Sequence, residues 1–253
     1  MELWSPNHVK TLLPSLIIML ILSIVLKITI GKKDEKIRMI PFQVCTIIIL
    51  VLEVIKQVLS FIEGYDLYHI PLHFCSLFLY ALPAMAFYNG KHKDKVRAVT
   101  TTITASLFLL MLIYPNVIYS GNAIAGTFTS FWDFHTVAFH TVATFTFFII
   151  VALDLFKPNL KKDLIYILVF FTIYCVIAGI ISQILQTNYN NFYHCNVPPI
   201  EDLRLSIASS IGYAPAQTIY VVLVTIVNLI FVNVSYQLYR LCNFIVKKIT
   251  KTK

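Results

Sequence analysis

Apolar runs of close to 20 residues recur along this 253-residue chain at about 11–30, 41–62, 70–89, 97–119, 128–153, 164–186 and 214–236. A helix rising about 1.5 Å per residue needs that length to cross roughly 30 Å of hydrocarbon. Short polar breaks separate the runs, which makes successive helices antiparallel neighbours. Only 13% of the residues are charged and 58% are hydrophobic, a balance foreign to water-soluble domains. The expected fold is therefore all-α: a polytopic integral membrane protein of seven transmembrane helices, forming one domain over residues 1–253.

The positive charge is segregated. Lys32, Lys33, Lys36 and Arg38 follow the first run, Lys91, Lys93, Lys95 and Arg97 the third, and Lys157, Lys161 and Lys162 the fifth; Arg240, Lys247, Lys248, Lys251 and Lys253 close the chain. The opposite side has Lys10 and Arg204, while Lys27 and Lys56 fall within runs. Basic residues collect on the cytoplasmic side of a membrane, so the N-terminus is expected outside and the C-terminus in the cytoplasm. Seven spans satisfy that parity and six do not. The net charge of +8 then reports topology and an anionic leaflet, with no nucleic-acid partner implied. The first run carries its lysines after it and lacks a small-residue cleavage pattern, so it reads as a retained helix. The expected location is the plasma membrane. Richness in Ile, Lys, Asn, Phe and Tyr suggests the AT-rich genome of a low-GC bacterium.

One connection is long. Residues 187–213, "TNYNNFYHCNVPPIEDLRLSIASSIGY", carry two prolines and an amphipathic stretch; loops of this length in compact proteins are usually functional or disordered, and this one is expected to cap the outer mouth of the bundle. After Tyr236, Leu238, Leu241, Phe244, Ile245 and Ile249 alternate with lysines, as in a helix running out along the cytoplasmic interface.

An ionisable side chain at the centre of a span costs about 2.5–3.5 kcal/mol on insertion scales, so each one needs a reason. The second run places Glu53, Lys56, Gln57 and Ser60 on one helical face, which must look into the bundle. An ion pair that neutralises itself and locks helix packing accounts for this face. So does a head-group site, with Lys56 toward a phosphate and Glu53 toward an amine or a histidine. The third run opens "HIPLHFC". Pro71 suits a first helical turn, which puts His73 and Cys75 roughly 5–8 Å below the outer surface, with His69 and His73 on one face. In the fifth run, "SFWDFHTVAFHT", Asp133 lies near the surface, His135 roughly 10 Å down and His140 roughly 18 Å down. The sixth run ends outward with Gln183, Gln186, Asn188 and Tyr189. Four runs distant in sequence thus bring polar groups to the outer half of the membrane.

The thiol of Cys75, imidazoles able to deprotonate it and an acidic orienter are the parts of acyl transfer through a thioester. Metal binding by His73, Cys75, Asp133, His135 and His140 is a second reading of the same groups. A proton-coupled carrier or lipid sensor is a third. Cys45, Cys75, Cys175, Cys195 and Cys242 show no zinc-type spacing. No GxSxG elbow, phosphate-binding loop, dinucleotide fingerprint or HExxH occurs.

The motifs "PLHFCSL" at 71–77, "FHTVAFH" at 134–140, "TNYNNFYHCNVPP" at 187–199 and "GYAP" at 212–215 resemble the bacterial YwaF-like integral membrane proteins. That family is similar to the animal transmembrane protein 164 acyltransferases and, more remotely, to the androgen-dependent-TFPI-regulating-protein type of intramembrane lipid hydrolase. The resemblance covers nearly the whole chain. It implies a membrane-embedded acyltransferase or transacylase moving fatty acyl chains between phospholipids, with no cofactor and no metal. Its cysteine nucleophile falls on Cys75 and its histidine base on His140, supported by His73, His135, Asn188 and Tyr189; the polar faces of the runs add Asp133, Glu53 and Lys56 as candidate site residues, with His135 or Asp133 orienting His140. The sequence departs from the pattern where a glycine is expected just before Asn188–Tyr189, since Gln186 and Thr187 stand there.

Overall fold

A computed structural model describes residues 6–115, 118–119 and 123–251; residues 116 and 117 of the expected fourth span lie outside the described residues. The described residues form eight α-helices and no strand: α1 Pro6–Ile30, α2 Glu35–Ile62, α3 Phe78–Phe87, α4 Lys93–Ile113, α5 Phe131–Ala152, α6 Leu160–Leu185, α7 Pro198–Ile211 and α8 Tyr213–Lys251. Six of them, α1, α2, α4, α5, α6 and α8, are long and apolar enough to cross a membrane.

The expected third span is built differently. Gly64 takes a left-handed φ of +91° just beyond α2, a conformation that favours glycine. Leu67–His69 and Phe74–Leu77 then form single 3₁₀ turns, and α-helix starts only at Phe78. Pro71 explains the break: it disfavours the helical conformation for Ile70 before it, whose ψ is 130°. His69 and His73 therefore do not share a helical face. The last turn and α3 together give a shorter apolar helix, Phe74–Phe87. The tail is helical. The last helix runs on through it, since α8 continues unbroken for 39 residues to Lys251.

The bundle is apolar outside and hydroxyl-bearing inside. Ile28, Ile184 and Val227 are 78%, 71% and 64% exposed, and apolar side chains cover the outer faces of α1, α2, α6 and α8 to an extent that water would penalise. Meanwhile Thr100, Thr101, Thr102, Thr104 and Ser106 of α4 are buried, as are Thr144 and Thr146 of α5. Small hydroxyl residues let helices approach closely where lipid supplies no hydrophobic drive. Accordingly α4 packs on α3, α5, α6 and α8.

Side-chain bonds fix which helix ends lie together. Glu35 at the start of α2 accepts from Arg97 Nη2 of α4 at 2.6 Å, Arg38 Nη1 donates to the Leu153 carbonyl beyond α5, and Lys247 of α8 pairs with Asp154 at 3.2 Å. These contacts gather most basic residues at one end. The polar residues of α2, α5 and the 63–77 segment gather at the other.

Candidate functional site

The polar face of α2 is an anchoring strip. Glu53 Oε1 receives Lys56 Nζ at 2.9 Å and Gln57 Nε2 at 2.6 Å, one helical turn away. Gln57 Nε2 also donates to the His69 carbonyl at 2.9 Å, while Gln57 Oε1 accepts from the Tyr65 hydroxyl at 2.9 Å. Ser60 Oγ bonds His69 Nδ1 at 2.5 Å. The non-helical 63–77 segment is thereby stitched to α2 instead of carrying its own ladder of backbone bonds.

From α5, Trp132 stacks on the His69 ring with centroids 5.0 Å apart. His135 Nε2 comes to 3.6 Å from Glu53 Oε2, near enough for a charge pair and too far for a hydrogen bond. That nitrogen is buried without a hydrogen-bond partner. Glu53 thus faces both a lysine and a histidine, uniting the ion pair and the histidine contact foreseen for it.

His140, one and a half turns deeper, is also buried. Its Nδ1 lies 2.7 Å from the Thr136 carbonyl. A carbonyl only accepts, so Nδ1 carries the proton, and a neutral ring presents its Nε2 lone pair. The ring also meets Tyr119 edge-on at 6.2 Å. Asp133 takes no part in this orientation. It stands in the first turn of α5, its backbone N–H capped by Ser130 Oγ at 3.5 Å, with its carboxylate against Gly126, where an added Cβ would fall 2.0 Å from Oδ2.

Cys75 sits half-buried in the 3₁₀ turn ahead of α3, packed against the core, and the Ser76 N–H that follows it donates to the His73 carbonyl at 2.9 Å. His73, just before the turn, donates from Nε2 to the Tyr68 carbonyl at 3.0 Å and packs its ring on Tyr68 and Tyr189 at 4.3 and 5.3 Å. Among the described residues no three His, Cys, Asp or Glu side chains converge as a metal ion requires. The cysteines are free.

The 187–197 segment covers the 63–77 segment. Tyr189 is fully buried and donates its hydroxyl to the Leu67 carbonyl. Asn188 acts on its own loop: Oδ1 accepts the backbone N–H groups of Tyr193 and His194, both at 3.2 Å. Gln217 of α8 ties the loop down from Nε2, donating to the carbonyls of Phe192 and Tyr193 at 3.1 and 3.0 Å. Gln186 ends α6 with φ +52°, where the missing glycine would sit without strain. Gln186→Gly should therefore leave stability unchanged or raise it by up to about 1 kcal/mol. A lower melting temperature in detergent would contradict this.

Glu201 of α7 receives Arg204 Nε at 2.9 Å and the Cys195 backbone N–H at 2.8 Å. The guanidinium, hydrogen-bonded to the carboxylate, holds Glu201 below the usual glutamate range. A depressed carboxylate contributes stability above its unfolded value and loses it as pH falls through its folded value. The loop should therefore loosen below about pH 4.3, the unfolded glutamate value. Hydrogen exchange at the Cys195 amide, corrected for intrinsic rate, should rise there in the native protein and show no such step in Glu201→Gln.

Sequence reasoning passed over Trp132, Tyr65, Tyr68 and Tyr174, whose hydroxyl donates to the Leu72 carbonyl at 3.0 Å. Their signal was an aromatic ring with a polar tip in an apolar run, which seeks a partner when buried.

Apolar outer faces, spanning helices and ionisable groups gathered at one end define a multi-pass helical membrane protein with a polar site. Within that class the chain belongs to the TMEM164 family, whose family model matches residues 3–236. No curated protein and no solved structure matches it.

Proposed function

We propose that the protein is a membrane-embedded acyltransferase or transacylase that moves fatty acyl chains between phospholipids through a thioester on Cys75. In this reading the Phe74–Phe87 helix and the turns before it complete a seventh crossing. The N-terminus lies outside, the basic end faces the cytoplasm, and the site opens toward the outer leaflet of a plasma membrane. The observation that carries the proposal is the position of Lys56. Lys56 projects from α2 on the same face as Glu53, which meets α5 at His135, and Phe78, three residues after Cys75, meets Phe139, the neighbour of His140, at 6.3 Å, so thiol and imidazole, 65 residues apart in sequence, stand on elements that pack together around that face.

His140 Nε2 takes the thiol proton, and the thiolate attacks the ester carbonyl of a donor phospholipid. The Cys75 N–H, with Lys56, stabilises the charge that develops on sulfur and oxygen. The carbon–oxygen bond breaks, and the lysophospholipid alkoxide takes the proton from the imidazolium. An acceptor hydroxyl then gives its proton to the same imidazole and attacks the thioester, restoring the thiol. Water as acceptor turns the same steps into hydrolysis. His73 and His135 flank this path, Tyr189 and Asn188 shape the cap above it, and Asp133 lies at its rim.

The buried Glu53–Lys56–His135 group favours a second reading, a transporter or lipid sensor with no covalent step. The test uses purified protein in phospholipid nanodiscs with donors carrying a fluorescent acyl chain. A hydroxylamine-sensitive adduct and label in a second lipid are the expected results. With several donor head groups and folded protein, the absence of both would reject the thioester and leave the transporter reading.

A further inference from the structure

At the end of the bundle opposite Cys75, the connection between α5 and α6 and the last turns of α8 line an open cleft of roughly 760 Å³. Its cations come from two elements: Lys157 from the connection, and Arg240, Lys247 and Lys248 from α8. Arg240 Nη1 donates to Gln237 Oε1 at 2.6 Å, and Lys247 pairs with Asp154 at 3.2 Å. Even with that pair counted, cations outnumber carboxylates around the cleft among the described residues. Such a surplus around a concave surface calls for an anion with several acceptor oxygens.

The floor is fixed. Phe156 is buried in the connection, its carbonyl accepts the Tyr239 hydroxyl, and its ring stacks on Tyr239 at 5.7 Å. Asn243, also buried, donates from Nδ2 to the same Tyr239 oxygen at 3.2 Å. The cations therefore stand on a rigid base, not on a loose tail. The rim is apolar: Leu241 and Phe244 line the cleft and are 54% and 64% exposed. Phosphate in solution would use the cations alone. An amphiphile would use cations and rim together.

We propose that this cleft binds the head group of an anionic phospholipid, with its phosphate on Lys157, Arg240 and Lys248 and its glycerol and first acyl carbons on Leu241 and Phe244. The site rests on the chain being a membrane protein and is independent of the cysteine chemistry.

The test is native mass spectrometry of protein released from phosphatidylcholine nanodiscs doped with phosphatidylglycerol. Wild type should retain phosphatidylglycerol in preference to phosphatidylcholine. Lys157→Gln with Lys248→Gln should cut that retention by about fivefold per charge removed. Lys32→Gln with Lys36→Gln removes equal charge from exposed positions at the same end and should leave retention unchanged. Equal losses in both pairs would overturn the proposal by reducing the effect to general surface charge. Leu241→Ser with Phe244→Ser should lower lipid retention. If excess inorganic phosphate strips the phosphatidylglycerol while the serine pair retains it like wild type, the cleft holds a soluble anion and the lipid assignment fails.

Discussion

Cys75→Ala is expected to yield a folded bundle that neither accepts an acyl group nor passes one on. The thiol is half-buried at the rim of the core, and removing one sulfur atom there changes packing little. Melting temperature should stay close to wild type. Activity should not: loss of a nucleophile that acts as a unit with its base lowers turnover by about three orders of magnitude or more. Cys75→Ser tests the chemistry more finely, since a hydroxyl in the same turn is a much weaker nucleophile. His140→Ala should lower transfer to a similar extent, because the proposed mechanism has Cys75 and His140 act in one step. Full transfer in Cys75→Ala would reject the thioester outright, whatever the histidine variant does.

The second large effect is on stability. Glu53 is buried and faces Lys56, Gln57 and His135. Replacing it by Gln keeps the shape but strands the Lys56 charge, and breaking a buried pair from one side costs about 3–5 kcal/mol. Adding Lys56→Met should recover much of that loss, because no buried charge then lacks its partner. Unfolding midpoints of the two single variants and the double variant in detergent form a double-mutant cycle that measures the coupling. A Glu53→Gln protein as stable as wild type would mean that water, not Glu53, solvates Lys56. What separates the two functional readings is Cys75→Ala, which a transporter tolerates and a thioester enzyme does not.

Much of this was legible before any coordinates. Hydropathy marked seven runs, and six of them are helices long and apolar enough to span, because lipid leaves a chain few other ways to satisfy its backbone. The inward face of α2 was legible because spacings of three, four and seven admit one helical face, and charges there cannot turn to lipid. The 63–77 segment was not. Its apolar composition matches a helix, and only Pro71 and Gly64 hinted that the bonds of Gln57, Ser60, Tyr174 and Tyr189 would replace helical ones. Nor was the role of Asn188 legible, since a side chain that accepts from its own loop has no signature in spacing. The partner of His140 was hidden for a related reason: the Thr136 carbonyl is backbone, and sequence patterns speak only of side chains.

From Ala216 to Lys251, α8 contains neither glycine nor proline, and at about 1.5 Å per residue the 39-residue helix measures about 58 Å, nearly twice the hydrocarbon thickness. It has no hinge. Gln217 near one end holds down the covering loop, and Arg240 and Lys248 near the other line the basic cleft. A thicker or thinner bilayer is met by a stiff rod through tilt, at a fraction of a kcal/mol per ångström of mismatch. When this strut leans, the lid at one membrane surface and the charged socket at the other lean with it.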